Sequence, residues 1–257
     1  MSRRLLEGRV WSPERLRDLA DEGAAVVAAE LAAADGMTGD AAYEQRVELS
    51  RLALRWADAA FGPALTVASS MGDEALVHLA GATVPLVDVA FIDTGYHFAE
   101  TLGTRDGYAA SGTVSVRTVV PLLTVGEQDA IHEPRLHDRD PDRCCALRKV
   151  EPLERALHGY AAWVTGMRRA DAPTRTDIDL VGWDARRSLV KLNPLARWND
   201  ADLERYVAEQ GVLLNPLRQL GFASIGCEPC TRPVADGEDP RAGRWAGRAK
   251  TECGLHT

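Results

Sequence analysis

Four short apolar runs that alternate with stretches of helical spacing constrain the fold of this chain most strongly. The runs are LTVAS at 65–69, VPLVDVAFID at 84–93, VSVRTVV at 114–120 and AAWVTG at 161–166. Alternation of short strands with helical crossovers is typical of parallel sheets with right-handed connections. The sequence therefore predicts an α/β fold with a mostly parallel sheet flanked by helices.

The regions on either side of this alternating segment differ from it in composition. Residues 13–58 are rich in Ala, Leu, Glu and Arg at helical spacing, which predicts a helical lead-in packed on the core. From residue 226 the chain is rich in Gly, Arg and Pro, a composition that favours a lid and a mobile tail. We interpret the chain as one domain over 1–257, divided into a lead-in at 1–60, a core at 61–225 and a C-terminal region at 226–257.

Charge and hydropathy argue against two classes of partner. The chain has 30 Lys and Arg residues against 38 Asp and Glu residues, a formal charge of -8. Nucleic acids and anionic membrane surfaces attract diffuse positive charge, which this chain lacks. The apolar stretch AAVVAAELAAA at 24–34 contains Glu30, is too short to span a bilayer and lacks the flanks of a signal peptide. We expect a cytoplasmic protein that binds neither nucleic acid nor membranes.

Polar clusters directly follow three of the apolar runs, namely SSMGDE at 69–74, DTGYH at 93–97 and TGMRR at 165–169. In an open α/β sheet the carboxyl ends of the strands form the ligand crevice, so these clusters should converge there. His97 by itself is better explained as a surface or packing residue, and we assign it no catalytic role. Arg168, Arg169 and Arg175 could bind phosphate or sulfate in bidentate fashion, with ordinary surface charge as the alternative.

The first of these clusters has features of an anion site. Ser69 and Ser70 offer hydroxyl groups, and Gly72 permits close backbone approach at a helix start, where free amides favour an anion. The cluster lacks the G-x-x-x-x-G-K-[ST] pattern of a Walker loop, and a simple capped helix is the alternative. Its position after the first strand favours phosphate.

The five cysteines divide into four and one. Cys144 and Cys145 are adjacent, Cys227 and Cys230 form a C-x-x-C pair, and Cys253 stands alone near the end of the chain. Two thiol pairs in a reducing compartment suggest zinc or an iron–sulfur cluster, with buried unligated thiols as a third alternative. Adjacent cysteines fit a single tetrahedral zinc poorly but can bind different irons of a cluster, so the spacing favours a 4Fe-4S cluster.

Charged residues accompany both groups of thiols. Arg148 and Lys149 follow the adjacent cysteines, where they can stabilise a thiolate cluster or an anionic substrate, with a solvated helix face as the alternative. Cys253 lies in KTECGLHT close to Lys250 and His256, which favours a nucleophile over an incidental tail cysteine. The arginine-rich GEDPRAGRW ahead of it favours a lid that closes over an anion.

Taken together, the motifs SSMGDE, FIDTGYHFAET, CCALRKVEPL, WVTGMRR, KLNPLARW, GCEPCTRP, GEDPRAGRW and KTECGLH resemble those of one family. From about residue 69 to the C-terminus, the chain is similar to assimilatory adenosine 5'-phosphosulfate (APS) reductases of the cluster-containing bacterial type, within the APS/PAPS reductase family. The resemblance implies an adenine nucleotide alpha hydrolase-like fold related to the PP-loop pyrophosphatases, which makes 61–225 a nucleotide-binding core.

The resemblance also implies a reaction and a set of residues. Cys253 would attack the sulfur of APS, release AMP and carry an S-sulfocysteine, which thioredoxin would then resolve to sulfite. The 4Fe-4S ligands would be Cys144, Cys145, Cys227 and Cys230, with Lys149 beside the cluster. Substrate-binding candidates are Ser69, Ser70, Gly72, Glu74, Arg148, Gly166, Arg168, Arg175, Arg241, Arg244 and His256.

Two other functions are consistent with the same residues. A reductase that also accepts the 3'-phosphorylated nucleotide PAPS would differ only in a pocket for the extra phosphate. A non-enzymatic iron–sulfur or zinc sensor that binds adenylates would give Cys253 no role. The sequence leaves the oligomeric state open, and a homo-oligomer is compatible with it.

Overall fold

The structure is a computed structural model, and it describes residues 11–33, 36–72, 74–248, 250, 252 and 254–255. Six strands form one sheet in the order β3-β2-β1-β4-β6-β5, and all neighbouring pairs are parallel except β5 with β6. The strands are β1 (Leu65–Ser69), β2 (Asp88–Ile92), β3 (Ser115–Val119), β4 (Ala162–Val164), β5 (Val181–Asp184) and β6 (Leu189–Leu192). The predicted α/β fold class is confirmed.

Helices cover the sheet and connect its parallel strands. They are α1 (Pro13–Ala33), α2 (Gly39–Phe61), α3 (Glu74–Thr83), α4 (Ala99–Ser111), α5 (Val125–His132), α6 (Leu136–Arg139), α7 (Pro141–Cys145), α8 (Glu151–Leu157) and α9 (Asp200–Gln210). No helix within the described ranges combines the length and the apolar composition needed to cross a bilayer.

The helical lead-in consists of two helices, where the sequence indicated one helical region. α1 packs against α2 and against the β5–β6 hairpin, and α2 also contacts β1. The two helices approach closely at Gly23, where an added Cβ would lie 2.5 Å from the Trp56 ring. Since only glycine leaves room for that ring, Gly23 fixes how the lead-in packs.

The strand order determines where a ligand can bind. Chain order runs from β1 outward through β2 to β3, and then returns to the other side of β1 with β4. This reversal opens a crevice at the carboxyl ends of β1 and β4, beneath which Val67 and Trp163 are fully buried. The turns after these two strands contain two of the polar clusters that the sequence analysis identified.

The C-terminal region from residue 226 has little regular secondary structure but is partly packed. A short 3-10 turn spans Glu228–Cys230, and an isolated bridge joins Thr231 to Arg244. Trp245 is 3% exposed. The region that the sequence predicts as a lid and mobile tail therefore contains a buried aromatic side chain, a feature that its composition did not indicate.

Candidate functional site

A cavity of about 570 Å³ opens at the carboxyl ends of β1 and β4. Nine of the residues that the sequence analysis predicted for substrate binding or catalysis line it: Ser69, Ser70, Gly72, Lys149, Gly166, Arg168, Arg175, Arg241 and Arg244. They come from four separate regions of the chain, and the sheet topology brings them together. Cys253, His256 and the side chain of Glu74 lie outside the described residues.

The turn after β1 is held by its own serine. The Ser69 hydroxyl accepts a hydrogen bond of 3.0 Å from the Met71 amide, and Met71 is fully buried with a φ of 54°. A Cβ added at Gly72 would lie 3.2 Å from Ile225, so glycine allows the segment before Cys227 to pack over the turn. Ser69 thus supports the turn through its hydroxyl, while Ser70 also lines the cavity.

The turn after β4 contributes the guanidinium of Arg168, whose positive charge is partly neutralised by two carboxylates. Arg168 makes ion pairs of 2.8 Å with both Asp171 and Asp200, and its side chain is 13% exposed. Thr165 is buried and donates a hydrogen bond of 2.7 Å to the Asn193 side chain, which fixes the start of the turn. These contacts hold the Arg168 guanidinium at the wall of the cavity.

The arginines of the predicted lid also line the cavity. Arg244 donates to the Ser224 hydroxyl at 3.2 Å and to the Ile225 carbonyl at 3.3 Å. An added Cβ at Gly226 would lie 2.3 Å from the Arg244 guanidinium, so a side chain there would displace it. Gly226, directly before the C-x-x-C pair, is therefore required for the position of Arg244.

A second, small cavity adjoins the first and brings all four paired cysteines together. It is lined by Tyr96, His137, Pro141, Cys144, Cys145, Arg148, Lys149, Cys227, Pro229, Cys230 and Trp245. The four thiols are free, and all but Cys230 are buried. The Cys227 sulfur lies 3.3 Å from the Thr94 hydroxyl. Among the residues that the structure describes, no group of three or more His, Cys, Asp or Glu side chains could hold a metal ion.

The thiols of this cavity are close enough to influence each other electrostatically. Burial, followed by the neighbouring thiols of Cys145, Cys227 and Cys230, raises the pKa of Cys144 to about 12. Burial also raises the pKa of Cys230, and the positive charge of Lys149 opposes that rise. The four thiols thus lie close together, with the positive charge of Lys149 near Cys230.

A π-turn directs the neighbouring side chains of Arg148 and Lys149 to different surroundings. Between α7 and α8 the chain forms a π-turn over Ala146–Val150, just before Pro152, whose missing N–H cannot complete an α-helical ladder. Lys149 lines both cavities, whereas Arg148 lines only the cysteine cavity. Arg148 is 3% exposed and donates to the Thr94 and Leu123 carbonyls.

His97 also lines the large cavity, but its contacts are those of a packing residue. Its Nε2 lies 2.9 Å from the Ile92 carbonyl, and its ring lies 4.9 Å from that of Phe91. Burial lowers the pKa of His97, which disfavours a charged role.

Sequence reasoning missed two charged residues near this site. Glu252 lines the large cavity and pairs with Arg175 at 2.8 Å. Arg187 follows β5, is 3% exposed at its side chain and donates to the Leu255 carbonyl at 3.1 Å. The sequence signal for Glu252 was its place beside Cys253. Nothing local identified Arg187, because its partner lies 68 residues away.

The fold defines an α/β protein of the PP-loop-like class. A FMN adenylyltransferase from Candida glabrata matches this fold with a TM-score of 0.56 at 15% identity, covering 85% of this chain and 73% of that chain. A phosphoadenylyl-sulfate (PAPS) reductase from Candida auris, solved as a phosphate complex, matches with a TM-score of 0.60 at 27% identity. That match covers 77% of this chain and 98% of the Candida auris chain.

The phosphoadenosine phosphosulfate reductase domain matches residues 63–233. The adenosine 5'-phosphosulfate reductase of Mycolicibacterium smegmatis is 51% identical over 241 residues, which cover 94% of each chain. The enzyme of the same name from Streptomyces coelicolor is 59% identical over 203 residues, covering 79% of this chain and 86% of that protein. The chain belongs to the phosphoadenosine phosphosulfate reductase family, and the predicted family is confirmed.

Proposed function

We propose that the protein reduces APS to sulfite and AMP, with thioredoxin as the reductant and Cys253 as the nucleophile. One observation carries the proposal: Lys149 lines both the four-cysteine cavity and the arginine-lined cavity at the strand ends. The four-thiol cavity and the arginine-lined cavity therefore share the positively charged side chain of Lys149. The relatives from Streptomyces coelicolor and Mycolicibacterium smegmatis support APS as the substrate.

The four-cysteine cavity fits a 4Fe-4S cluster better than a single zinc ion. Four free thiols line one cavity, and two adjacent cysteines such as Cys144 and Cys145 bind different irons of a cluster more readily than they close on one tetrahedral ion. Cys144, Cys145, Cys227 and Cys230 would hold the cluster. When bound, the cluster would supply an electrostatic centre next to the cavity that Lys149 also lines.

The proposed reaction has two steps, and both take place at the sulfur of Cys253. The Cys253 thiolate forms a bond to the substrate sulfur, and the bond from that sulfur to the phosphate oxygen breaks, so AMP leaves with the electron pair. The product on the protein is S-sulfocysteine. A thioredoxin thiolate then attacks the Cys253 sulfur and releases sulfite, and the second thioredoxin thiol frees Cys253. Thioredoxin is oxidised to its disulfide and supplies both electrons.

The described residues have separate tasks in this scheme. The turn after β1 offers backbone amides and the Ser70 hydroxyl to the phosphate. Arg241 and Arg244, which line the same cavity, offer charge to the phosphosulfate. Lys149 stabilises the charge that moves onto oxygen as the sulfur–oxygen bond breaks. Local arginines are needed because the chain as a whole carries a charge of -8.

Sulfite release from APS and from PAPS, each with reduced thioredoxin, tests this function. We expect sulfite from APS at a rate that depends on thioredoxin. The Candida auris match is named as a PAPS reductase, so PAPS is the specific competitor to include. Equal turnover of both nucleotides would support the dual reductase instead. Binding of adenylates without sulfite from either would support the sensor.

Substitution of Lys149 by Ala is expected to slow sulfur transfer while leaving iron content unchanged. The side chain supplies charge stabilisation and no ligand, and loss of one such donor typically slows catalysis about 10²-fold. Single-turnover formation of AMP, together with iron analysis, measures both effects. Arg143→Ala is the matched control, because Arg143 is an exposed cation in α7 and lines neither cavity. An unchanged rate in Lys149→Ala would remove Lys149 from the mechanism.

A further inference from the structure

The C-terminal segment is held by charged side chains at every second residue. Arg248 pairs with Asp138 of α6 at 2.5 Å, and its other nitrogen donates to the His137 carbonyl. Lys250 pairs with Asp142 of α7, and the Lys250 side chain is only 9% exposed. These two cations therefore bind the segment to the helices that precede and contain the adjacent cysteines.

The next charged residue of the segment, Glu252, is negatively charged and pairs with arginines. Glu252 lies 2.8 Å from Arg175 and 3.3 Å from Arg241 through its two carboxylate oxygens. The side chains are 9% exposed for Arg175, 21% for Arg241 and 24% for Glu252. Partly buried, charge-assisted pairs of this kind resist salt better than surface pairs. Glu252 thus links Arg175, which follows β4 in the chain, to Arg241 of the C-terminal region.

A further contact follows three residues later. The Arg187 guanidinium donates to the Leu255 carbonyl at 3.1 Å and is itself held by Asp184 at 3.0 Å and Glu154 at 2.9 Å. The Leu255 side chain packs against the main hydrophobic core. Glu252 and Leu255 therefore fix the chain on both sides of the sequence position of Cys253.

The order of charges specifies one register for the segment. Arg248 and Lys250 meet carboxylates, and Glu252 meets two arginines. A shift of two residues in one direction would bring Glu252 to the carboxylate of Asp142. The opposite shift would bring Lys250 to the arginines of the cavity. Like charges repel in both cases, so only the observed register pairs every charge.

We propose that Glu252 is a positioning residue that fixes the register of the C-terminal segment at Arg175 and Arg241, and so sets where Cys253 meets the substrate. The inference rests on the proposed function. Glu252 also places negative charge on two arginines that are candidates for binding the substrate anion. Its removal should therefore impair sulfur transfer without weakening substrate binding.

Kinetics of the holoenzyme separate positioning from a general structural effect. Glu252→Gln keeps the shape of the side chain but loses its charge, so we expect the single-turnover rate of AMP release from APS to fall about tenfold. KM should stay the same or fall, because the arginines become available to the anion. Glu252→Asp should recover part of the rate. A lower rate accompanied by a higher KM and a lower melting temperature would indicate a structural role and overturn the proposal.

A second measurement does not depend on turnover. Alkylation of Cys253 by iodoacetamide in the nucleotide-free holoenzyme, followed by peptide mass analysis, should be about fivefold faster in Glu252→Gln, because the segment opens more often. Asp236→Asn is the matched control, since Asp236 is exposed in the same region and lines neither cavity. Equal alkylation rates in the parent and in Glu252→Gln would overturn the proposal that Glu252 positions the C-terminal segment. A parent protein that releases no AMP from APS would instead overturn the proposed function. The alkylation comparison would still test whether Glu252 positions the C-terminal segment.

Discussion

Replacement of Cys227 by Ser is expected to remove the iron and the acid-labile sulfide from the purified protein, which should otherwise be brown and contain about four irons per chain. Cys227 is buried in the cavity that all four paired cysteines line, so a serine there cannot be compensated by solvent or by a nearby thiol. Colour, iron and sulfide analysis measure the loss. The same result is expected for Cys144, Cys145 and Cys230.

Two controls make this prediction specific. Circular dichroism separates loss of the cluster from loss of the fold, and Cys253→Ser should retain all four irons because Cys253 is not among the predicted ligands. One zinc per chain with no acid-labile sulfide in the parent protein would show that the cluster assignment is wrong. That result would leave the α/β fold and the family unaffected.

Replacement of Cys253 by Ser is expected to abolish sulfite formation altogether, the largest effect on activity that we predict. A hydroxyl is a far weaker nucleophile than a thiolate at neutral pH, and no described cysteine outside the ligand set can replace it. Sulfite release with reduced thioredoxin measures activity, and equilibrium binding of AMP measures the nucleotide site. Binding should be unchanged. Sulfite release at the parent rate would contradict the proposed mechanism and support a different nucleophile.

The strands β1, β2 and β4 were predictable from the sequence because each comes from an apolar run that ends in a polar cluster. The run at 84–93 gives a strand only from Asp88, since Pro85 lacks an amide donor and Leu86 has a φ of 60°. The β5–β6 hairpin gave no such signal. It contains charged residues such as Lys191, whose ammonium nitrogen lies 5.1 Å from the centre of the Trp163 ring and whose pKa burial lowers to about 8.

Some features of the candidate site could be predicted from local sequence motifs, and others depend on contacts between distant parts of the chain. The adjacent cysteines and the C-x-x-C pair are local motifs, so their convergence could be expected. The distribution of Arg148 and Lys149 between the cavities depends on a π-turn that the residue pattern does not reveal. The Glu252 contacts depend on an arginine 77 positions earlier, which only the folded topology brings near.

The most direct test of the account is the mass of the peptide that contains Cys253 after the holoenzyme is incubated with APS and no reductant. The account predicts a gain of about 80 Da, the mass of an added sulfonate group, on that peptide alone, with release of AMP. Reduced thioredoxin should then remove the added mass as sulfite. A sulfonate on a different cysteine, or sulfite formed with no adduct on Cys253, would contradict it.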